Sequence, residues 1–182
     1  MGIDHVNVDH TWTLFLDRDG VINQRIFGGY VLDKEYFNFE PGALTALKIA
    51  NQYFGKIIVV TNQQCVALGL LSEPALAQIH QDMITEVSSF GGRIDAVYAA
   101  IDLKTAVPNR RKPNPAMALE AKLKFPEIDF SKALMVGDTD SDIQFGMELG
   151  MKTVLVKSKE ETTAVPDLTV NSLLELMNYI CG

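Results

Sequence analysis

The run Lys56-Ile57-Ile58-Val59-Val60-Thr61 is too short for a helix and too continuously apolar for a sheet that shows one face to water. It fits a strand covered on both faces, as found in parallel sheets flanked by helices. Four other segments read as partner strands: Thr11 to Leu16, Asp95 to Ala100, Ala133 to Val136 and Lys152 to Val156. Helical patterns lie between them. Pro41-Gly42 opens one that ends near Gly55. Ser72 is the N-cap expected for a second, with Glu73 and Pro74 in its first turn. Leu76, Ile79, Met83, Ile84 and Val87 form its core stripe, and Gly91-Gly92 stops it. Further helices are expected from about Pro115 to Phe125, from Ile143 to Leu149 before Gly150, and from Ser172 to Tyr179. This alternation predicts one α/β domain over residues 1–182, a doubly wound, Rossmann-like parallel sheet with helices on both faces. With 47% hydrophobic residues in 182, there is material for one sizeable core. Asn23 to Glu40, containing Gly28-Gly29-Tyr30, reads as a loop or small hairpin, a flap over the end of the first strand.

Three of these strands end in polar clusters: Asp17-Arg18-Asp19, Thr61-Asn62-Gln63, and Gly137-Asp138-Thr139-Asp140-Ser141-Asp142. Ligands of open parallel sheets bind beyond the carboxyl ends of the strands, so neighbouring strands would bring these groups to one cleft. Two carboxylates one residue apart at the end of a buried strand need a cation, a shared proton or hydrogen-bond donors. Carboxylate oxygens suit Mg²⁺ better than zinc. An EF-hand calcium loop is rejected, because Ile143 stands where its glycine should be and Leu149 where its bidentate glutamate should be. Arg110-Arg111-Lys112 is the densest basic cluster and suits a phosphate beside a hard cation. A phosphoryl group held by Mg²⁺ and a lysine is electrophilic, and Asp17 is placed to attack it and form an aspartyl-phosphate. A second acid must then move protons, which calls for a raised pKa. Asp19 has the right offset, since one intervening residue on an extended chain aims both aspartates the same way while Arg18 points elsewhere.

A net charge of −7 argues against nucleic acid or an anionic membrane as partner. No apolar run approaches membrane-spanning length. Cys65 and Cys181 supply no disulfide framework. Met1 to His10 has no signal-peptide core, and His5 and His10 read as part of a solvated terminus rather than as metal ligands. A soluble cytoplasmic protein is expected.

In these motifs the chain resembles the haloacid-dehalogenase (HAD) superfamily phosphatases. Asp17-Arg18-Asp19-Gly20, Thr61-Asn62, Lys112-Pro113 and Gly137-Asp138 through Asp142 follow the order of that family's four motifs. The resemblance implies Asp17 as nucleophile and metal ligand, Asp19 as acid/base and as a ligand through its main-chain carbonyl, and Asp138 as the third protein ligand of Mg²⁺. It implies that Thr61 and Lys112 hold the phosphoryl oxygens. Asp142 would support the metal from behind, and Asp140 would be a solvated loop acid.

A narrower likeness is carried by Asp17-Arg18-Asp19-Gly20-Val21-Ile22-Asn23, Gly29-Tyr30-Val31, Phe39-Glu40-Pro41-Gly42, Val60-Thr61-Asn62-Gln63 and Arg111-Lys112-Pro113-Asn114-Pro115. These resemble the heptose-bisphosphate phosphatases and their histidinol-phosphatase relatives. That likeness implies a small phosphorylated substrate met by Arg18, Gly29, Tyr30, Asn62, Gln63, Gln64 and Arg111. Two departures stand out. Ala99 to Arg110 contains no cysteine or histidine, so the family's zinc loop, and with it structural zinc, is not expected. Gln64-Cys65 follows Thr-Asn-Gln where relatives carry Ser-Gly, which alters the floor of the pocket. The spacing between motifs leaves no room for a cap domain. The expectation is therefore a capless, Mg²⁺-dependent phosphomonoesterase, monomeric or weakly self-associating. A histidinol-phosphate or other small-ester phosphatase, a phosphotransferase and a silent phosphate-binding domain stand as alternatives.

Overall fold

The computed structural model describes residues 7–181. The expectation for His5 lies outside them, while His10 is exposed in a turn. Six parallel strands form one sheet: β1 (Thr13–Leu16), β2 (Lys56–Asn62), β3 (Ala96–Ala100), β4 (Ala133–Gly137), β5 (Lys152–Val156) and β6 (Leu168–Val170). Their order is β3-β2-β1-β4-β5-β6. The chain builds outward from β1 to β3, then returns to the other side of β1 and builds outward again. The order therefore reverses between β1 and β4, which is where an open α/β sheet leaves a crevice. Register confirms the adjacency, with Leu16 opposite Val59 on one side and Val136 on the other.

Alternation along the central strands divides the core in two. Leu14, Leu16, Ile57, Val59, Leu134 and Val136 face α1 (Ala43–Tyr53), α2 (Glu73–Ser89) and α5 (Leu173–Cys181). Phe15, Ile58, Val60 and Met135 face the other way, onto α3 (Ala116–Lys124) and α4 (Asp140–Glu148). Every residue of β1 is buried, which is why the helices cover both faces. Ser72 caps α2, its hydroxyl accepting from the Ala75 N–H.

Two elements differ from expectation. The strand β6 adds to the five that the sequence predicts, because three residues are too few to show a period of two. It is fixed instead by Asp167, whose carboxylate accepts from the Thr153 N–H and hydroxyl. The helix α4 begins at Asp140 rather than Ile143, because Thr139 and Asp142 form a capping box that starts the helix three residues earlier. Asp140 is thus the first residue of α4, and its carboxylate accepts from Thr163 and Ala164. It is a structural tie and not a free loop acid.

The flap between β1 and α1 is an irregular loop with one short 3-10 turn, Lys34–Tyr36. Isolated bridges from Asn23 to Asp19 and to Phe39 pin its two ends together. Among the described residues, no helix is long and apolar enough to cross a membrane.

Candidate active site

Asp17 follows the last residue of β1, and its N–H donates to the Val136 carbonyl, so the β1–β4 pairing carries it to the mouth of the crevice. Asp138 follows β4 directly and is wholly buried beside it. The first turn of α4 adds Asp142, also wholly buried. Carboxylate oxygens of Asp17, Asp138 and Asp142 lie within 4.8 Å of one another.

Lys112 is the principal counter-charge. Its ammonium lies 2.8 Å from Asp17 Oδ1 and 2.6 Å from Asp142 Oδ1, and donates to the Val60 carbonyl at 2.7 Å. Three acceptors use its three donors. Burial alone would lower the Lys112 pKa, but Asp142 and Asp17 outweigh it and raise the value, so the ammonium stays charged. Asn62 fixes the Lys112 backbone from both sides, accepting from its N–H and donating to its carbonyl. Burial is the first cause raising Asp17 and Asp138 above the usual carboxylate range; Lys112 opposes it at Asp17, and Arg25 opposes it at Asp138. Asp17 Oδ1 also accepts from the Arg18 N–H, which leaves Oδ2 as its less engaged oxygen.

Asp19 sits farther out, with 22% of its side chain exposed against 8% for Asp17. Its surroundings reverse the expected pKa. Burial pushes the carboxyl up, but the Arg18 guanidinium with hydrogen bonds from Arg18, Asn23 and Gln63 outweighs burial and holds it below the ordinary value. Arg18 itself overturns one expectation. Its side chain does not point away from Asp19 but folds back onto it, Nη2 donating to Oδ1 at 2.9 Å and Oδ2 at 3.0 Å. It is also fully buried, at the border of the large cavity. Its Nη1 lies 3.1 Å from His80 Nε2. A guanidinium only donates, so this nitrogen must accept and the ring is neutral. Burial first, then the Arg18 charge, push the His80 pKa down to about 3.

A cavity of about 920 Å³ is lined by Asp17, Asp19, Gly29, Tyr30, Asn62, Gln63, Gln64, Lys104, Arg111 and Lys112, among others. Tyr30 and Gln64 are joined, Gln64 Nε2 donating to the phenolic oxygen at 2.7 Å, which ties the flap to the loop after β2. Thr61 stands behind this surface, fully buried, its hydroxyl accepting from Gln63 Nε2. Arg110 is turned onto Glu120 through a bidentate pair. Of the basic cluster, Arg111 and Lys112 therefore face the cavity.

Sequence reasoning missed Arg25. Its Nη2 lies 2.6 Å from Asp138 Oδ1 and 3.8 Å from Asp17 Oδ2, and donates to the Asp19 carbonyl at 3.3 Å. The one available signal was charge, since Arg25 is the sole charged residue between Gly20 and Leu32. Asn23 and His80 were missed as supports of Asp19 and Arg18.

The donor set fits a hard cation. Carboxylate oxygens are what Mg²⁺ takes, and Asp138 Oδ2 is buried without a hydrogen-bond donor. Gly20 stands against that oxygen at φ +89°, where an added Cβ would come within 2.3 Å of it.

A model of the HAD-hydrolase-like family matches residues 109–176. The D-glycero-alpha-D-manno-heptose-1,7-bisphosphate 7-phosphatase of Mycobacterium bovis is 37% identical over 135 residues, which cover 74% of this chain and 71% of the relative. The D-glycero-beta-D-manno-heptose-1,7-bisphosphate 7-phosphatase of Photorhabdus laumondii subsp. laumondii is 30% identical over 181 residues, covering 93% and 95%. The crystal structure of D,D-heptose 1.7-bisphosphate phosphatase from B. bronchiseptica, complexed with magnesium and phosphate, matches with a TM-score of 0.86 at 25% identity, covering 93% of this chain and 98% of the other. Fold and relatives together define a HAD-type phosphatase, a hydrolase of phosphoric monoesters. Within that class the chain belongs to the D-glycero-D-manno-heptose-1,7-bisphosphate 7-phosphatase family.

Proposed function

We propose that this chain removes one phosphate from a D-glycero-D-manno-heptose 1,7-bisphosphate, working as a single capless domain with Mg²⁺. The observation that carries the reading is one cavity lined both by the Asp17–Lys112 pair and by the cations Arg111 and Lys104. A bisphosphate needs both: an attacking carboxylate with a counter-charge for the phosphate that leaves, and separate cations for the phosphate that stays.

In this reading one carboxylate oxygen of Asp17 attacks phosphorus, the bond from phosphorus to the sugar oxygen breaks, and Asp19 gives the sugar oxygen a proton. Water then attacks the aspartyl-phosphate, Asp19 takes the water's proton, and phosphate leaves with Asp17 restored. Asp17, Asp138 and the Asp19 carbonyl would hold Mg²⁺, which supplies positive charge for the phosphoryl oxygens as negative charge builds there. The clamp on Asp19 keeps it a carboxylate, ready for the second step. The first step needs it protonated, and a phosphate dianion arriving beside it raises its pKa in that direction.

Thr61 acts through Gln63 in this account, and Asn62 by fixing Lys112. The loop that carries zinc ligands in relatives is closed here by hydrogen bonds: the Arg110 N–H donates to Asp102, the Arg111 N–H to the Asn109 side chain, and Asn109 Nδ2 to the Ala106 carbonyl. These take over the bracing, and structural zinc is not required. The acidic net charge supports a small-molecule substrate over nucleic acid or membrane. A cytoplasmic monomer or weak oligomer completes the proposal.

The test is a comparison of kcat/KM, with Mg²⁺, for the α and β anomers of the heptose bisphosphate, the corresponding monophosphates and histidinol phosphate. A preference of about tenfold or more for bisphosphates, equivalent to one favourable charged contact, is expected. Histidinol phosphate as the best substrate would move the assignment to the alternative.

A further inference from the structure

The nitrogen Nη2 of Arg25 faces three oxygens, from Asp138 at 2.6 Å, the Asp19 carbonyl at 3.3 Å and Asp17 at 3.8 Å. They come from the three residues assigned above to Mg²⁺, and the inference rests on that assignment. A positively charged nitrogen among two carboxylates and a carbonyl is placed as a bound cation would be. The two cannot coexist there, because Mg²⁺ sits about 2.0–2.1 Å from each ligand oxygen and would meet the guanidinium face to face. We propose that Arg25 is a tethered counter-cation of the metal site, docked while the metal is away and expelled when Mg²⁺ binds, so that it sets the metal affinity.

Charge explains why a stand-in is needed. Asp17, Asp138 and Asp142 are three buried carboxylates, and Lys112 answers only one of them. Arg25 neutralises a second, whereas Mg²⁺ neutralises both that remain. Buried unpaired charge is strongly unfavourable, so the metal-free cluster is held together by the arginine.

The docking is also incomplete, which lets it be reversed. Arg25 Nε is buried without a partner, and so is Asp138 Oδ2 on the far side of the same carboxylate. A divalent ion can meet the demand of Asp138 Oδ2, which the arginine leaves unmet. Arg25 has somewhere to go. It lies in the irregular flap, 24% exposed, and lines both the large cavity and an adjacent one of about 430 Å³. Glu160 Oε1 stands 4.0 Å from its other terminal nitrogen and, at 43% exposure, offers a receiving carboxylate outside the cluster.

The test uses the full chain stripped of metal with EDTA, as wild type, Arg25→Gln and Asp138→Asn. Calorimetric titration with MgCl₂ and thermal melting with and without Mg²⁺ are the readouts. Arg25→Gln is expected to melt below wild type without metal yet to bind Mg²⁺ about tenfold more tightly, because a competitor docked some nine-tenths of the time weakens apparent affinity by that factor. Asp138→Asn should lose Mg²⁺ binding. In the wild type, the Arg25 Nε–H resonance, identified by its absence in Arg25→Gln, should shift when Mg²⁺ is added. Equal or weaker Mg²⁺ affinity in Arg25→Gln, or an Arg25 resonance indifferent to Mg²⁺, overturns the proposal while a loss of binding in Asp138→Asn leaves the metal site standing. Unchanged affinity in Asp138→Asn overturns both.

Discussion

Lys112 Nζ lies 2.8 Å from Asp17 Oδ1, a contact between the first strand's end and a loop that precedes the third helix. Both residues are buried, and the same ammonium holds Asp142. Lys112→Met therefore leaves two carboxylates facing each other without their shared cation. Breaking a buried pair in this way costs about 3–5 kcal/mol. Removing a preorganised positive group from a phosphoryl site lowers kcat by about a hundredfold or more. Urea unfolding and phosphate release measure the two effects, and a variant of wild-type stability would show that the pair is not an intimate one.

His80 should govern part of the acid stability. Its folded pKa is about 3 against 6.5 for an ordinary histidine. Between those values the unfolded chain binds a proton that the folded chain refuses. Its contribution is therefore whole above pH 6.5 and falls as pH drops toward 3, reaching a loss of about 2 kcal/mol by pH 5. His80→Gln keeps an acceptor for Arg18 and cannot titrate, so its stability should fall less between pH 7 and 5 than the wild type's. Asp17 and Asp138 titrate alike in both proteins, so the difference isolates His80. Parallel curves would mean that the ring is protonated in the fold.

Gly20→Ala meets two obstacles at once. The left-handed backbone, φ +89°, disfavours any side chain by roughly 1–2 kcal/mol. The new Cβ would also fall 2.3 Å from Asp138 Oδ2 and displace a proposed metal ligand. Gly28→Ala is the control, since it has φ +71° but nothing within 4 Å. Calorimetry should find Mg²⁺ affinity reduced at least about tenfold in Gly20→Ala, one lost ligand contact, and unchanged in Gly28→Ala.

Arg111 and Arg110 are neighbours with different surroundings. Arg111 lines the cavity, while Arg110 is paired with Glu120. Arg111→Ala should raise KM for a heptose bisphosphate about tenfold or more, the loss of one charged contact, with little change in melting temperature. Arg110→Ala should leave KM within about twofold, as its partner is a part-exposed surface acid. The reverse pattern in steady-state kinetics would exchange their roles.

Much of this architecture was legible because it rests on repeated signals. The run from Ile57 to Val60 announced a strand covered on both faces, and acids placed directly after strands announced the cleft. The signals fail where a side chain's direction depends on a distant partner. Alternation along β1 sends Arg18 away from Asp19, yet the chain turns after Asp17, and His80, 62 residues away, receives the guanidinium. In the acid run from Asp138 to Asp142 the sequence points to one ligand, Asp138, and to a loop acid at Asp140, although Thr139 and Asp142 have the capping-box spacing that starts the helix at Asp140. Arg25 belongs to no periodic element, and only the folding of the flap across the end of β1 takes it to Asp138.

The most direct test of the account is whether Asp17 carries the phosphoryl group. The Mg²⁺-loaded enzyme is mixed with heptose bisphosphate radiolabelled at the hydrolysed phosphate, quenched in acid within a turnover, and mapped by peptide. The account predicts transient label on the peptide containing Asp17, released by hydroxylamine as an acyl phosphate should be, and absent in Asp17→Asn. Full turnover with no label on the protein at any quench time would contradict it.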